Sequence, residues 1–263
     1  MELTGYIAAV LIGVSLGLIG GGGSILTVPV LVYLMGVDPV SATAYSLFIV
    51  GATSLAGVFP KYKKGLVNLK TAVIFGIPSI LAVYATRRFL IPVIPNEVFS
   101  VNGFIVSKSM MMMLLFAILM LAASYSMIRD KTKEAPISGV LQYNYFLIII
   151  EGAVVGLLTG MVGAGGGFLI IPALVFFVKL PMKQAVGTSL LIIAAKSLIG
   201  FTGDLSNYNI DWSLLLIFTA IAVSGIFIGN KLSNKADGEK LKKGFGWFIL
   251  VMGIYIIIKE LFL

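Results

Sequence analysis

Apolar stretches recur along this chain at lengths suited to a bilayer, and that excludes water as the solvent in which it folds. Of 263 residues, 59% are hydrophobic and only 11% are charged, whereas a soluble domain is nearer half apolar and a quarter charged. The stretches fall at about 3–19, 25–36, 39–58, 69–87 and 109–128, then at 143–162, 168–178, 182–202, 211–230 and 244–262. Glycine, proline and charged residues separate them. In hydrocarbon every backbone N–H and C=O must be paired within the protein, and for single segments that means helices. The prediction is an all-α polytopic membrane protein. The first run, from Leu3, lacks a basic leader and a small-residue cleavage pattern, so it is expected to be a retained span. The 92–107 segment, broken by Pro92 and Pro95, is expected to be an outer loop or interfacial element.

The chain also repeats itself. Gly17–Val58 aligns without a gap on Gly160–Phe201. The identities include Gly20/Gly163, Gly22/Gly165, Gly23/Gly166, Pro29/Pro172, Ala42/Ala185, Ser46/Ser189, Ser54/Ser197 and Gly57/Gly200. Shared composition makes apolar segments look alike, but it does not put glycines, prolines and serines in one register. Residues 1–128 and 143–263 are therefore predicted to be two membrane repeats, joined by a cytoplasmic linker at 129–142. The short stretches at 25–36 and 168–178 reach only about half to two-thirds of the way across the hydrocarbon core. Each follows a glycine-rich turn, so each is a short broken helix or half of a re-entrant hairpin.

Loop charges predict how the repeats are oriented. The 59–70 loop carries Lys61, Lys63, Lys64 and Lys70, and its counterpart at 202–213 carries Asp204 and Asp211. The 36–40 turn carries Asp38, and its counterpart carries Lys179 and Lys183. Under the positive-inside rule the two repeats lie in opposite orientations, an inverted topology. Both termini then fall outside a cell inner (plasma) membrane. The 129–142 linker and the lysine-rich 231–243 loop fall inside. Arg87 and Arg88 fit less well, at an outer helix end. An inverted repeat needs an odd number of crossings per half, which five helices satisfy, and so do three plus a re-entrant pair.

Several function classes drop out. Cysteine and histidine are both absent, which removes disulfides, thiolate metal sites and the commonest general base. No cofactor or metal is expected. The net charge of +8 lies in short loops between spans and does not mark a nucleic-acid surface. The glycine runs are not nucleotide motifs, because Ile25 and Phe168 stand where G-x-G-x-x-G needs its last glycine, and no Walker-type lysine follows. A membrane enzyme would need a catalytic base, and no serine has a G-x-S-x-G setting.

Inverted repeats with broken helices place a solute near mid-membrane, where half-helix ends meet. The natural breaks are Gly20, Gly22 and Gly23, with helix start Ser24, and Gly163, Gly165, Gly166 and Gly167. Free N–H groups and the positive dipole end at each helix start suit an anion. The alternative is that these glycines only permit tight packing. Ser46, Ser54, Thr188, Ser189 and Ser197 would hydrogen-bond oxyanion oxygens, or else bond their own helix carbonyls. Lys196, in the apolar run LLIIAAKSLIG, either neutralises a solute or snorkels to the headgroups. Glu151 would carry a coupling proton, pair with Lys196 or line a wet vestibule.

GGGSILTVPVL and GAGGGFLIIPAL, each followed by an A-x-x-x-S-L stretch, resemble the TauE/SafE family of sulfite exporter and sulfonate permease-like proteins. The resemblance covers both halves. It implies secondary transport of sulfite, an organosulfonate or a related sulfur anion, with no catalytic activity. Carried over by position, the family pattern falls on Gly20, Gly22, Gly23, Pro29, Gly163, Gly165, Gly166, Gly167 and Pro172, and on Gly187, Thr188, Ser189 and Leu190. The first half departs from G-T-S-L with Ala44 and Tyr45, and the histidine that many members carry after the S-x-x-G segment is missing. The expected partners are a small anionic solute, the lipid bilayer, a coupling proton or sodium ion, and a second copy in a homodimer. A passive anion channel is the alternative function, and a membrane enzyme is a more distant one.

Overall fold

The computed structural model describes residues 2–21, 23–101, 104–129, 144–233 and 238–262. Every apolar stretch read from the sequence is a helix. The first half holds α1 (Glu2–Ile19), α2 (Ser24–Tyr33), α3 (Pro39–Lys63) and α4 (Leu69–Ala85). α4 continues through a π-helical turn at Thr86–Leu90 into α5 (Ile91–Val93), and α6 (Lys108–Arg129) completes the half. The second half holds α7 (Tyr145–Val162), α8 (Gly167–Phe176), α9 (Met182–Thr202), α10 (Trp212–Leu232) and α11 (Gly238–Phe262). Among the described residues, six helical stretches are long and apolar enough to cross a membrane. Within the 92–107 segment, after α5, β1 (Glu97–Val101) pairs antiparallel with β2 (Phe104–Ser107). The 129–142 linker lies, beyond Arg129, outside the described residues.

Local chemistry sets the helix starts. Asp38 caps α3 by accepting from the N–H groups of Val40 and Ser41, with Pro39 in the first turn. Asn68 and Asp211 occupy the same repeat position and cap α4 and α10 in the same way, accepting from Thr71 and Leu214. At the α7 end Gly163 is left-handed, with φ +71°, which glycine adopts without strain.

The core helices α3 and α9 cross antiparallel. Gly51 packs on Leu198, Gly57 on Leu190 and Ile226, and Gly200 on Leu47 and Val83. Leu47/Leu190 and Val83/Ile226 are repeat mates, so each half makes the other's contacts. The same exchange recurs outside this centre. α1 packs on α10 as α7 packs on α4, and α4 packs on α9 as α10 packs on α3. The bundle therefore has two unlike ends. Lys61 meets Gly187 and Ser233 at one, the lysine end. Asp204 meets Arg87 at the other, the acidic end.

The short helices are halves of hairpins. Gly5 packs on Met35, so α2 returns the chain to the end where α1 began. Ile148 shares a buried cluster with Val178 and Leu180, so α8 likewise returns to the end where α7 began. With ten residues each, α2 and α8 are about 15 Å long, half the thickness of a bilayer core. Their starts meet at mid-bundle. A Cβ on Gly167 would lie 2.2 Å from Gly21 Cα, and one on Gly21 2.4 Å from Gly167 Cα. That backbone contact is the keystone of the packing. Gly167→Ala should cost about 1–3 kcal/mol as overpacking and lower the Tm in detergent. Gly244→Ala, with nothing within 4 Å of its new methyl, serves as the control, and equal Tm values for the two would contradict the keystone role.

Candidate functional site

The meeting point of the two turns is built from left-handed glycines. Gly20, Gly163, Gly165 and Gly166 have φ of +82°, +71°, +62° and +73°. Gly23 and Gly166 cap α2 and α8, and neither start receives a side-chain cap bond. The first N–H groups of a helix have no partner within it. Two positive helix ends therefore face one another across a junction lined by backbone. Gly22 lies outside the described residues.

α3 and α9 wall this junction. Gly163 packs on Thr43, Gly20 on Val186, Gly165 on Val50 and Ile193, and Gly167 on Ile193. Ser46 and Ser54 lie three or four residues from Thr43 and Val50 on the same helical stripe, and Ser189 and Ser197 are placed likewise beside Val186 and Ile193. All four serines are fully buried. The hydroxyls of Ser46, Ser54 and Ser197 have no hydrogen-bond partner, nor has that of Thr53. An unmet buried hydroxyl costs about 1–3 kcal/mol, so their place is one that a polar guest would improve. The other hydroxyls are committed. Ser189 donates to Val186 O at 2.9 Å and Ser24 to Gly21 O at 2.7 Å. Thr188 accepts from Asn68 N at 2.9 Å, so it holds the start of α4 at the lysine end, away from the junction.

Lys196 does not snorkel. It is fully buried, and its Nζ donates to Thr159 Oγ1 at 2.8 Å. Thr159 in turn donates to Val155 O at 2.7 Å. A Cβ on Gly166 would lie 2.8 Å from Nζ, so the ammonium sits beside the start of α8. It carries three donors, and Thr159 accepts from one. No bridge joins it to Glu151, which precedes Thr159 on α7 by about 12 Å of helix. Glu151 is half-buried with Oε2 unpartnered, off the junction. Among the described residues no three His, Cys, Asp or Glu side chains form a metal-binding group.

The sequence did not reveal a second polar cluster at the acidic end. Arg87 and Asp204 are both fully buried, with Nη1 3.4 Å from Oδ2. Arg87 Nη1 also donates to Thr43 Oγ1 at 2.9 Å, and Thr43 is the residue against which Gly163 packs. Burial pushes the Asp204 carboxyl up to about 6, against the downward pull of Arg87 and Lys108. Arg88 turns outward to Ser206. The available signal was an arginine one turn inside an apolar span, but nothing local names its partner.

Each end of the bundle carries an open hollow, and neither hollow is lined by residues of the junction. One of about 300 Å³ at the acidic end is lined by Asp38, Val40, Asn96, Ser107, Lys108, Ser109 and Tyr208. One of about 230 Å³ at the lysine end is lined by Pro60, Lys61, Lys64, Phe227, Asn230 and Lys231. Between them the arrangement offers helix N-termini, hydroxyls and one ammonium, all hydrogen-bond donors, and it suits an oxygen-rich anion.

Comparison with known proteins finds a family of membrane transporters. The family model described as "Sulfite exporter TauE/SafE" matches residues 6–256. A "Probable membrane transporter protein" of Xylella fastidiosa is 31% identical over 94% of this chain and 91% of its own. YunE of Bacillus subtilis, which carries the same description, is 28% identical over 96% and 95%. A third such protein, from Methanocaldococcus jannaschii, is 37% identical over 42% of this chain and 43% of its own. No solved structure matches the chain.

Burying an ammonium without a counter-ion is unfavourable, and Thr159 keeps its own bond to Val155 if the lysine is removed. Lys196→Met should therefore leave the Tm unchanged or raise it. A clear loss of Tm would make Lys196 a structural strut.

Proposed function

The chain belongs to the sulfite exporter TauE/SafE family and is a membrane transporter, not an enzyme, and on that premise we propose that its solute is a small oxyanion, sulfite or an organosulfonate, which it exports across the cell inner membrane. The observation that carries this reading is the junction of two helix starts at mid-depth, flanked by unpartnered Ser46, Ser54 and Ser197 hydroxyls and by Lys196. Two dipole ends and an ammonium attract negative charge, and the hydroxyls suit sulfur-bound oxygens. The glycine positions bring backbone donors within reach of a guest. In this reading Ser46 and Ser54, about 12 Å apart along α3, meet the solute in turn as it passes, with Ser197 and Lys196 on α9, and Ser24 and Ser189 offer only oxygen lone pairs. Thr188 shapes the wall from outside.

The two repeats, 1–128 and 143–263, are proposed to face opposite ways across the bilayer. The support is the antiparallel crossing of α3 and α9 and the exchange of repeat-mate contacts. The lysine end is the cytoplasmic one under the positive-inside rule, which puts both termini outside. Backbone contact between Gly21 and Gly167 leaves no open way through the junction, which suits a carrier better than an open pore. An inside-negative potential drives an anion outward by about 2.3 kcal/mol per charge per 100 mV. A proton or sodium ion would couple the flux if it runs against its gradient, and Glu151, unpartnered on α7, is a site for it. The apolar residues exposed around the bundle face lipid, or in part a second copy in a homodimer.

In proteoliposomes, flux of sulfite or sulfoacetate should saturate and show counterflow, whereas ohmic single-channel current would make the protein a channel. Ser46→Ala with Ser197→Ala should weaken binding by about tenfold or more, at roughly 0.5–1.5 kcal/mol per hydrogen bond. Unchanged calorimetric affinity would remove both from the site. Because the chain has no cysteine, Lys63→Cys and Ser206→Cys can each be labelled alone. An impermeant thiol reagent outside whole cells should reach the second and not the first, and reaction of both from one side would refute the opposed orientation.

A further inference from the structure

The acidic-end cluster has a form that simple structural support does not explain. Arg87 and Asp204 are buried and oppositely charged, yet their closest approach is 3.4 Å. Both carboxylate oxygens of Asp204 lack a hydrogen bond, as do Nε and Nη2 of Arg87. A pair kept for stability would be expected in two-point, hydrogen-bonded geometry, because desolvating two charges is costly unless their lone pairs and protons are met. Here a guanidinium fork is left mostly unused at full burial. The acidic-end hollow lies near the pair, since its lining residue Tyr208 donates its backbone N–H to Asp204 O at 3.3 Å and its lining residue Lys108 donates to Ile91 O, one turn beyond Arg87. On the inner side, Arg87 holds Thr43, and Thr43 packs on Gly163 of the junction. The pair thus stands between the cavity and the glycine turns.

We propose that Arg87 is a second anion-binding residue, held closed by Asp204, and that a solute anion in the acidic-end passage takes the place of the Asp204 carboxylate on Arg87 and opens the way between cavity and junction. Asp204 is then a resident competitor that occupies Arg87 when no solute does. The groups facing Asp204 are Arg87 from the π-helical turn, Lys108 at the start of α6 and Tyr208 from its own loop, and Asp38 at the start of α3 acts on Lys108 and Tyr208. Lys108 is anchored to Ile91 O at 2.5 Å, and Asp38 is engaged in capping α3. Asp204 is therefore the group free to release its partner. Its carboxyl, raised to about 6 by burial, gains a proton as the pH falls through that value. The neutral acid holds Arg87 less firmly, so solute binding should tighten on acidification. The inference takes its solute class from the oxyanion reading, but the gate itself can be tested without any solute.

Two measurements on the full chain in detergent or liposomes decide it. The first uses Ser46→Cys, one turn behind Thr43, on the naturally cysteine-free chain. An impermeant thiol reagent at the acidic end should modify it slowly when Arg87 and Asp204 are present, and about tenfold faster with Asp204→Asn added. The second is binding of sulfate and methanesulfonate, neither of which titrates near pH 6. Asp204→Asn should bind about tenfold tighter and lose the pH dependence. Arg87→Gln alone leaves a buried carboxylate unpaired and is expected to fold poorly, so Arg87→Gln with Asp204→Asn is the informative variant. It should label fast and bind weakly. Equal labelling rates in all three backgrounds overturn the gate, whatever binds. Accelerated labelling without binding of either anion supports the gate and overturns the oxyanion reading. Wild-type affinity in the double variant overturns Arg87 as a binding residue.

Discussion

Lipid offers no hydrogen bonds, so a break in a membrane helix survives only where protein meets the freed backbone groups. Everything central in this fold follows from two such breaks being brought together. The turns after α1 and α7 would be costly facing hydrocarbon. Buried against each other at Gly21 and Gly167, and walled by α3 and α9, they become an interior polar junction in an otherwise apolar bundle. α2 and α8 stop half-way because their first residues must lie at that junction and their last at the membrane surface.

Charge is handled at two depths in two ways. Lys196 is held beside the junction by a neutral hydroxyl on α7, so its positive charge stays available to a guest. Arg87 is held further out by a carboxylate, so its charge is already answered. An anion moving between the acidic end and the centre would exchange one cation for the other. The lysine-lined cavity at the opposite end adds a third cationic station. On the oxyanion reading, such a series would attract an anion along its way without any single site binding it too tightly to release.

The exchange of repeat-mate contacts also bears on movement. α1 rides on α10 and α7 on α4, so each re-entrant hairpin is packed on a helix of the other half. Small residues line these seams, with Gly13 and Gly17 against Ala222 and Gly225–Gly229, and Gly152 and Gly156 against the carbonyls of Phe75 and Ser79. Smooth, closely packed surfaces of this kind permit one unit to shift against another with little loss of contact.

The sequence by itself determined the solvent, the helices and the repeat. Composition forces lipid, lipid forces helices, and glycine, proline and serine in one register betray a duplication whatever the surrounding apolar residues do. It also separated lysine loops from aspartate loops, because loop charge is a local property. Tertiary structure decided the rest. Whether the short segments crossed or returned depended on where Gly5 and Met35 met. Whether Ser46 and Ser189 shared a fate depended on a rotamer, and they do not: one hydroxyl is orphaned and its mate bonds Val186. Lys196 faced inward because Thr159 stood opposite. Arg87 and Asp204, a misfit and a loop charge when read along the chain, became a pair only when the ends of α4 and α9 converged. Contacts between residues far apart in sequence leave no periodic mark in it, and a buried charge looks like a surface one until its neighbours arrive.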